Sequence, residues 1–372
     1  MCGIFACLSS QKISLPIMRN NALKCQHRGP DKTNELYIPD DNKHIYIMFH
    51  RLAINGLNPE SNQPLTINND STKLVICNGE IYNFKELAEK YNITLETESD
   101  CEIILHLYNQ FPIDFFINEL DGVFSFILID LSENKIIVGH DPFGIRPLYY
   151  SYDEKSDQKQ YLFASEMKSL IEISEKVQFY PPGSYSVISM DDYSMDTHSF
   201  YDFMYPTIQD INEEQIICNI KNKLTKAVNK RLLSDRPIGC LLSGGLDSSI
   251  ITTLVCRKLG ATNVRTFAIG LEGSPDLKSA QKVADYLGTN HTNIIVTEKE
   301  MLDAIDLTIY QIESNDTTTI RASTPMFLLS EYIRDNTDIK VILSGEGSDE
   351  ASGSYMYFHN APNNNEFHKE FK

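Results

Sequence analysis

Hydrophobic and polar positions divide the chain into two stretches of different rhythm. Up to about residue 205, short apolar runs bounded by turns read as strands, at Ile45–Phe49, Lys73–Cys77, Val123–Ile129 and Lys135–Gly139. Two helices interrupt them, near Asn83–Tyr91 and Ser99–Gln110, the second opening on Ser99-Asp100-Cys101-Glu102, which has the form of a capping box. Segregated strands and helices of this kind predict an α+β sandwich over residues 2–205. From residue 210 the pattern alternates between strand and helix. An amphipathic helix over Glu213–Leu233 leads to strand Ile238–Leu242, a Gly-rich turn and helix Ser248–Leu259. Strands Arg265–Ile269 and Lys340–Leu343 follow, with helices between them, so residues 210–372 predict an α/β unit on a parallel sheet. The polar stretch Asp191–Asn212 is the expected junction.

Composition narrows the function classes. The 372 residues suit two domains, and 42% hydrophobic with 23% charged residues describes a soluble globular protein. A net charge of −18 without a long basic run argues against nucleic acid and anionic membrane as partners. The eight cysteines form no CxxC pair, which favours reduced thiols and a cytoplasmic setting over zinc or a disulfide framework. No apolar run is long enough for a membrane span, and no signal peptide is expected.

Candidate chemistry begins at Cys2. Removal of Met1 would leave one residue with a thiol, pKa about 8.5, and an α-amine, pKa about 8, able to serve as its base. Asn78-Gly79-Glu80 follows a strand and precedes a helix, where a glycine N–H and the Asn78 amide could form an oxyanion hole. Arg51 could clamp a carboxylate, and Asp100 could meet an ammonium group or merely begin a helix. The Gly- and Pro-dense segments His27–Asp31 and Asp141–Tyr149 read as loop-shaping. With Ala164–Lys168 and Pro181–Tyr185, these segments together resemble the class II glutamine amidotransferase domain, an N-terminal nucleophile (Ntn) hydrolase. The resemblance implies that Cys2 attacks the glutamine amide and that Asn78 and Gly79 hold the oxyanion. It also implies that Arg51, Leu52, Ala53, Ile54, Asn55, Glu80 and Asp100 help bind glutamine, Arg51 at the carboxylate and Glu80 and Asp100 at the amino end.

In the second half, Ser243-Gly244-Gly245-Leu246-Asp247-Ser248 lies between a strand and a helix, where backbone N–H groups can approach phosphate. No lysine follows, so it is not a Walker A loop; it looks like the pyrophosphate (PP) loop of ATP pyrophosphatases. Asp247 suits magnesium as a hard oxygen ligand, and Asp349 in Ser344–Glu350, after another strand, is a second candidate. Gly270–Lys278 and Thr317–Ser323 complete a set that, behind a glutaminase domain, resembles the glutamine-dependent asparagine synthetase family. That resemblance implies a ligase converting aspartate and MgATP to β-aspartyl-AMP and then, with ammonia carried through an internal tunnel, to asparagine. It implies that Leu242, Ser243, Gly244, Gly245, Asp247, Ser248, Ile269, Ser344 and Gly345 bind ATP. By the same resemblance Glu346 assists adenylation, and Thr318 and Arg321 recognise aspartate.

Two departures from the family pattern stand out. Family members run well beyond residue 372 and carry a catalytic lysine there, so a truncated synthetase domain with exposed apolar sheet surface is expected, partnered by a second copy or a complementing chain. Ala351-Ser352-Gly353-Ser354-Tyr355 also lacks the usual aromatic and paired glycines, which would be costly if the turn needs positive φ at Ser354. The competing readings are a stand-alone glutaminase and a non-catalytic protein with an inactive synthetase half.

Overall fold

A computed structural model describes residues 1–40, 42–68, 70–155, 158–202 and 212–371. The chain forms two compact units, Met1–Asp210 and Ile211–Lys372. The expected junction Asp191–Asn212 begins inside the first unit, where Met195–Ser199 pairs with Ser184–Ser189 as a strand, and its residues 203–211 lie outside the described residues.

In the first unit the strands are β1 (Gly3–Ser9), β2 (Lys32–Asp40), β3 (Lys43–Arg51), β4 (Lys73–Ile81), β5 (Gly122–Asp130), β6 (Lys135–His140), β7 (Tyr149–Lys155), β8 (Gln158–Ala164), β9 (Gln178–Phe179), β10 (Ser184–Ser189) and β11 (Met195–Ser199). They build two antiparallel sheets, ordered β2-β3-β1-β8-β7-β9 and β11-β10-β6-β5-β4. Alternation along β1 sends Ile4, Ala6 and Leu8 into a core shared with Ile127 and Ile129 of β5, so the sheets pack face to face. Phe5 and Cys7 point the other way, against Met18 and Ala22 of helix α1 (Leu15–Ala22). Helices α2 (Phe84–Lys90), α3 (Ile103–Gln110) and α4 (Ile113–Glu119) lie along the second sheet. α3 buries Ile103, Ile104 and Leu107 there. The result is the expected α+β sandwich.

Ser99 does not cap the helix that follows. Residues Asp100–Glu102 form a 3-10 turn before α3, and Ser99 makes no side-chain cap bond. The Glu102 carboxylate instead accepts N–H bonds from Glu96 and Thr97, 2.6 Å each, which folds the preceding loop back on itself.

The second unit runs α5 (Glu213–Lys230), β12 (Ile238–Leu241), α6 (Leu246–Leu259), β13 (Arg265–Leu271), α7 (Pro275–Leu287), β14 (Asn290–Val296), α8 (Glu298–Asp303), α9 (Ile305–Ile312), α10 (Thr317–Asn336) and β15 (Val341–Leu343). Its sheet is parallel throughout, in the order β14-β13-β12-β15. Val228 of α5 and Val255 of α6 join one buried cluster, while Leu329 and Ile333 of α10 join another with Phe267. The sheet therefore has helices on both faces, as parallel strands require. The edge strand β14 is an addition to the sequence reading. Its polar His291-Thr292-Asn293 start hides it, and backbone pairing with β13 recovers it.

At the Ala351–Tyr355 departure the positive φ, 62°, falls on Gly353 and not on Ser354, so the serine bears no such strain. Helices α5 and α6 keep an apolar face in solvent, with Ile217, Ile220 and Leu246 all more than half exposed. Among the described residues no helix is long and apolar enough to cross a membrane.

Candidate functional site

Strand register places the first site. β1 pairs antiparallel with β3, Gly3 opposite His50, so Cys2 stands beside Arg51 where both strands end. β4 brings Asn78-Gly79-Glu80 to the same place, and the turn at Asp100 packs against it. Cys2, Arg51, Leu52, Ile54, Asn55, Asn78, Gly79, Glu80 and Asp100 line one cavity. Ala53 does not line it; its N–H goes to the Asp31 carboxylate at 2.9 Å.

The Cys2 thiol faces both backbone groups of Leu52, 3.4 Å from the N–H and 3.7 Å from the carbonyl. Burial raises the thiol pKa, with Cys77 adding to it, and the neighbouring α-amine, the Leu52 contact and Arg146 offset only part of the rise. The amine in this chain is that of Met1, in the same cavity. Burial first, opposed by the Cys2 charge and helped by Arg146 and Arg28, takes it down to about 5, leaving it neutral at pH 7.

Three side-chain donors of residues that line the cavity have no acceptor. Asn55 Nδ2, Asn78 Nδ2 and Arg146 Nε are buried without a hydrogen-bond partner. An orphaned buried donor costs about 1–3 kcal/mol, and three around one cavity suit a ligand that brings acceptor oxygens. Gly79 is required by close packing, since a Cβ there would come within 2.5 Å of the Val123 carbonyl oxygen.

The acidic side is equally organised. Asp100 accepts the Ile81 N–H at 2.7 Å, yet burial, with the Glu80 charge adding to it, pushes its pKa up to about 7. Glu80 is held by Arg146 at 3.5 Å. Arg51 is buried, and its guanidinium donates to the carbonyls of Asn55, Asn58 and Gly56 and to Asn62 Oδ1. It therefore shapes the Asn55–Asn62 loop as well as facing the cavity.

The loop-shaping segments do more than the sequence suggests. The Asp141 carboxylate accepts N–H bonds from Phe124, Phe143, Ile145 and Arg146, at 2.9–3.3 Å, and this delivers Arg146 to the cavity. Arg28 donates to the Cys2 carbonyl and to Glu166. Burial alone would raise the Glu166 carboxyl, but His27, Arg28 and Lys168 hold it down to about 2. Gln63, Cys77 and Cys101 also line the cavity unanticipated. A charged residue embedded in a Gly/Pro loop was the available signal for Arg28 and Arg146.

The second site lies beyond the carboxyl ends of β12, β13 and β15, where parallel sheets bind ligands. Leu242, Ser243, Gly245, Asp247, Ser248, Ile269, Ser344, Gly345, Glu346 and Asp349 line one pocket, joined by Asp276, Met326 and Tyr355. Gly244 is not in the lining. At φ 79° it turns the chain, and a Cβ there would approach Ser279 backbone at 2.4 Å, so it lets α7 pack close. Ser248 and Ser243 hydroxyls meet at 3.0 Å, and Ser348 donates to Asp247 Oδ1 at 2.8 Å, tying the Gly-rich loop to the acidic loop. Asp349 accepts from Ser354. Among the described residues no three acidic, His or Cys side chains are grouped to hold a metal alone. Asp247 and Asp349, the two expected ligands, share this pocket with Asp276, Glu346 and Glu350, a donor set that fits magnesium shared with substrate phosphates. Thr318, in the first turn of α10, and Arg321, one turn further on, sit exposed outside the pocket that Met326 and Leu329 of the same helix line.

Comparison with known proteins matches both halves. A glutamine amidotransferase domain model covers residues 1–212, and an asparagine synthase model covers 219–371. A protein of Acanthamoeba polyphaga mimivirus, named a probable glutamine-hydrolysing asparagine synthetase, is 41% identical over 395 residues, all of this chain and 70% of its own. Glutamine-hydrolysing asparagine synthetase 1 of Arabidopsis thaliana is 40% identical over 388 residues, all of this chain and 63% of its own. The chain thus spans about two thirds of these relatives. Among solved structures, a glutamine phosphoribosylpyrophosphate amidotransferase of B. subtilis superposes with TM-score 0.44 at 17% identity, over 81% of this chain and 70% of that one. The matches over the whole of this chain and the two family models, in the same order as the two sites, make this chain a member of the glutamine-hydrolysing asparagine synthetase family.

Proposed function

We propose that the chain hydrolyses glutamine at Cys2 and uses the ammonia to convert aspartate to asparagine at the expense of ATP. The observation that carries the first half is the set of unpartnered donors, Asn55 Nδ2, Asn78 Nδ2 and Arg146 Nε, on residues lining the cavity of the Cys2 thiol. With Met1 removed, the Cys2 amine takes the thiol proton and the sulfur attacks the amide carbon. Asn78 Nδ2 and the Gly79 N–H receive the oxyanion, the amide nitrogen takes the proton from the Cys2 ammonium and leaves as ammonia, and water releases glutamate from the thioester. Arg51 holds the substrate carboxylate, while Glu80 and Asp100 take its ammonium. A reducing cytoplasm suits such a thiol.

In the second unit the Gly-rich loop and the α6 N-terminus cradle ATP phosphates. Leu242 and Ile269 flank the adenine, and Ser344-Gly345 completes the pocket. Thr318 and Arg321 orient aspartate so that its β-carboxylate attacks the α-phosphorus and pyrophosphate leaves. Glu346 assists this step. Magnesium, when bound, would neutralise phosphate charge beside Asp247 and Asp349. Ammonia then displaces AMP from the acyl carbon.

Pyrophosphate release by the purified chain tests this reading, with aspartate, MgATP and either glutamine or ammonium. Release is expected to require aspartate. Cys2→Ala should abolish the glutamine-supported asparagine and spare the ammonium-supported one. Pyrophosphate release that ignores aspartate would sink the proposal.

A further inference from the structure

Arg51 is the cation expected at the substrate carboxylate, but its fork is already engaged by the protein. NH1 donates to the Asn58 carbonyl at 3.3 Å and to Asn62 Oδ1 at 2.8 Å, and NH2 donates to the carbonyls of Asn55, at 3.1 Å, and Gly56. Each terminal nitrogen thus serves two protein oxygens, so an incoming carboxylate meets the charge of Arg51 without a free bidentate face.

Arg146 is the opposite case. It lines the same cavity, its side chain is 15% exposed, and its Nε is buried with no hydrogen-bond partner. Its NH2 stands 3.5 Å from Glu80 Oε1, an ion pair too long for a good hydrogen bond. The main chain at this residue is fixed on both sides. Asp141 takes the Arg146 N–H at 3.3 Å, and the buried His140 ring meets the Arg146 carbonyl through Nε2 at 2.9 Å. A guanidinium held this firmly, with a buried N–H left over, suits a ligand that brings an oxygen to it. Glu80 indicates which oxygen. In the reaction proposed above, Glu80 takes the ammonium of glutamine, and in an α-amino acid the carboxylate sits on the same carbon. A carboxylate whose ammonium is bound at Glu80 therefore comes within reach of the guanidinium paired with Glu80.

We propose that Arg146 is a second recognition residue for the α-carboxylate of glutamine, supplying the directed hydrogen bond that Arg51 has committed to its own loop. The inference rests on the glutaminase reading above. Arg51 contributes positive charge and holds the Asn55–Asn62 loop in place, while Arg146 Nε donates to a carboxylate oxygen. The pair Glu80 and Arg146 then selects free α-amino acids, which carry ammonium and carboxylate on one carbon. Glutamine whose carboxyl group is amidated, or is joined in a peptide bond, lacks the charge that the guanidinium takes up. Because this contact is the same in bound substrate and transition state, its loss falls on KM and leaves kcat nearly unchanged.

The test measures ammonia release by the full chain from glutamine and from glutamine α-amide, in which a neutral amide replaces the carboxylate. Arg146→Gln should lower kcat/KM for glutamine by about tenfold to 150-fold, chiefly through KM, the range for a hydrogen bond to a charged group. The same variant should change kcat/KM for the α-amide by less than about threefold, since that substrate offers no charge to lose. Arg146→Lys keeps a cation beside Glu80 but not the planar Nε donor, so its loss with glutamine should fall between the parent and Arg146→Gln. If Arg146→Gln does not fold, the lysine variant carries the test, with a loss on glutamine and none on the α-amide. Equal losses on both substrates would assign Arg146 to Glu80 or to the reacting amide and overturn the inference, as would unchanged kinetics with glutamine. A parent chain that releases no ammonia from glutamine would overturn the glutaminase reading, and this inference with it.

Discussion

Arg28 donates from Nε to the backbone carbonyl of Cys2 at 2.9 Å while its NH1 meets the Glu166 carboxylate at 3.2 Å. The nucleophile is thus held from behind by a buried ion pair, and its sulfur is left to face Leu52 and the cavity. Hydrogen bonds to charged groups are worth about 1.5–3 kcal/mol, which is about tenfold to 150-fold in rate when the loss falls on the transition state. Arg28→Gln should lower kcat for glutamine hydrolysis by that factor with little change in KM. Ammonium-supported pyrophosphate release should be untouched, and steady-state assays of both reactions check the split.

Asn78 Nδ2 waits in the cavity without an acceptor. Removing one oxyanion donor typically costs about 10²–10³ in kcat. Asn78→Ala should show a loss of that order in glutamate release, with glutamine KM within a few-fold of the parent. A change confined to KM would assign Asn78 to ground-state binding instead.

Asp100 supplies a pH dependence whose sign is fixed by burial. Its pKa is raised from 3.8 to about 7, so the folded state holds this proton more tightly than the unfolded chain does. The stability it contributes is fully present below about pH 4 and is lost as pH rises through about 7. Binding a substrate ammonium needs the ionised form. We therefore expect kcat/KM for glutamine to rise about tenfold per pH unit up to about 7 and level off above. In Asp100→Asn that limb should vanish, and the melting temperature at pH 8 relative to the parent should exceed the same difference at pH 4.

Ser348 ties the acidic loop to Asp247 at 2.8 Å. In the proposed reaction, the carboxylate without that bond is less well placed to hold magnesium. Ser348→Ala should raise the magnesium concentration needed for half-maximal pyrophosphate release by about tenfold, from the loss of a bond to a charged group. Glutamine hydrolysis, which uses none of these residues, should be unchanged.

The sequence was most legible where local chemistry and periodicity agree. The Ser243–Ser248 loop sits between an apolar strand and a helix, and Asn78-Gly79-Glu80 ends a strand, so both could be placed before any contact was known. Legibility failed where a residue's role depends on distant partners. Arg28 and Arg146 lie in Gly/Pro loops that read as turns, and only folding brings them to Cys2 and Glu80. Ser99 followed by Glu102 looks like a capping box, but tertiary folding gives that carboxylate the Glu96 and Thr97 N–H groups. Strand β14 is polar at its start and exists because β13 offers a paired edge.

By itself, then, the amino-acid sequence determined the two architectures and the family, and it supplied Cys2 and the Ser243–Ser248 loop as the proposed nucleophile and phosphate loop, because each rests on residue types at short fixed spacings. The tertiary structure decided which charges surround Cys2, that Ala53 and Gly244 stand outside the pockets, and that Cys77 and Cys101 line the same cavity as Cys2. Those facts depend on strand register and on burial. A shift of one residue in β1 against β3 would take Cys2 away from Arg51, and local sequence does not record which buried groups are left to balance one another.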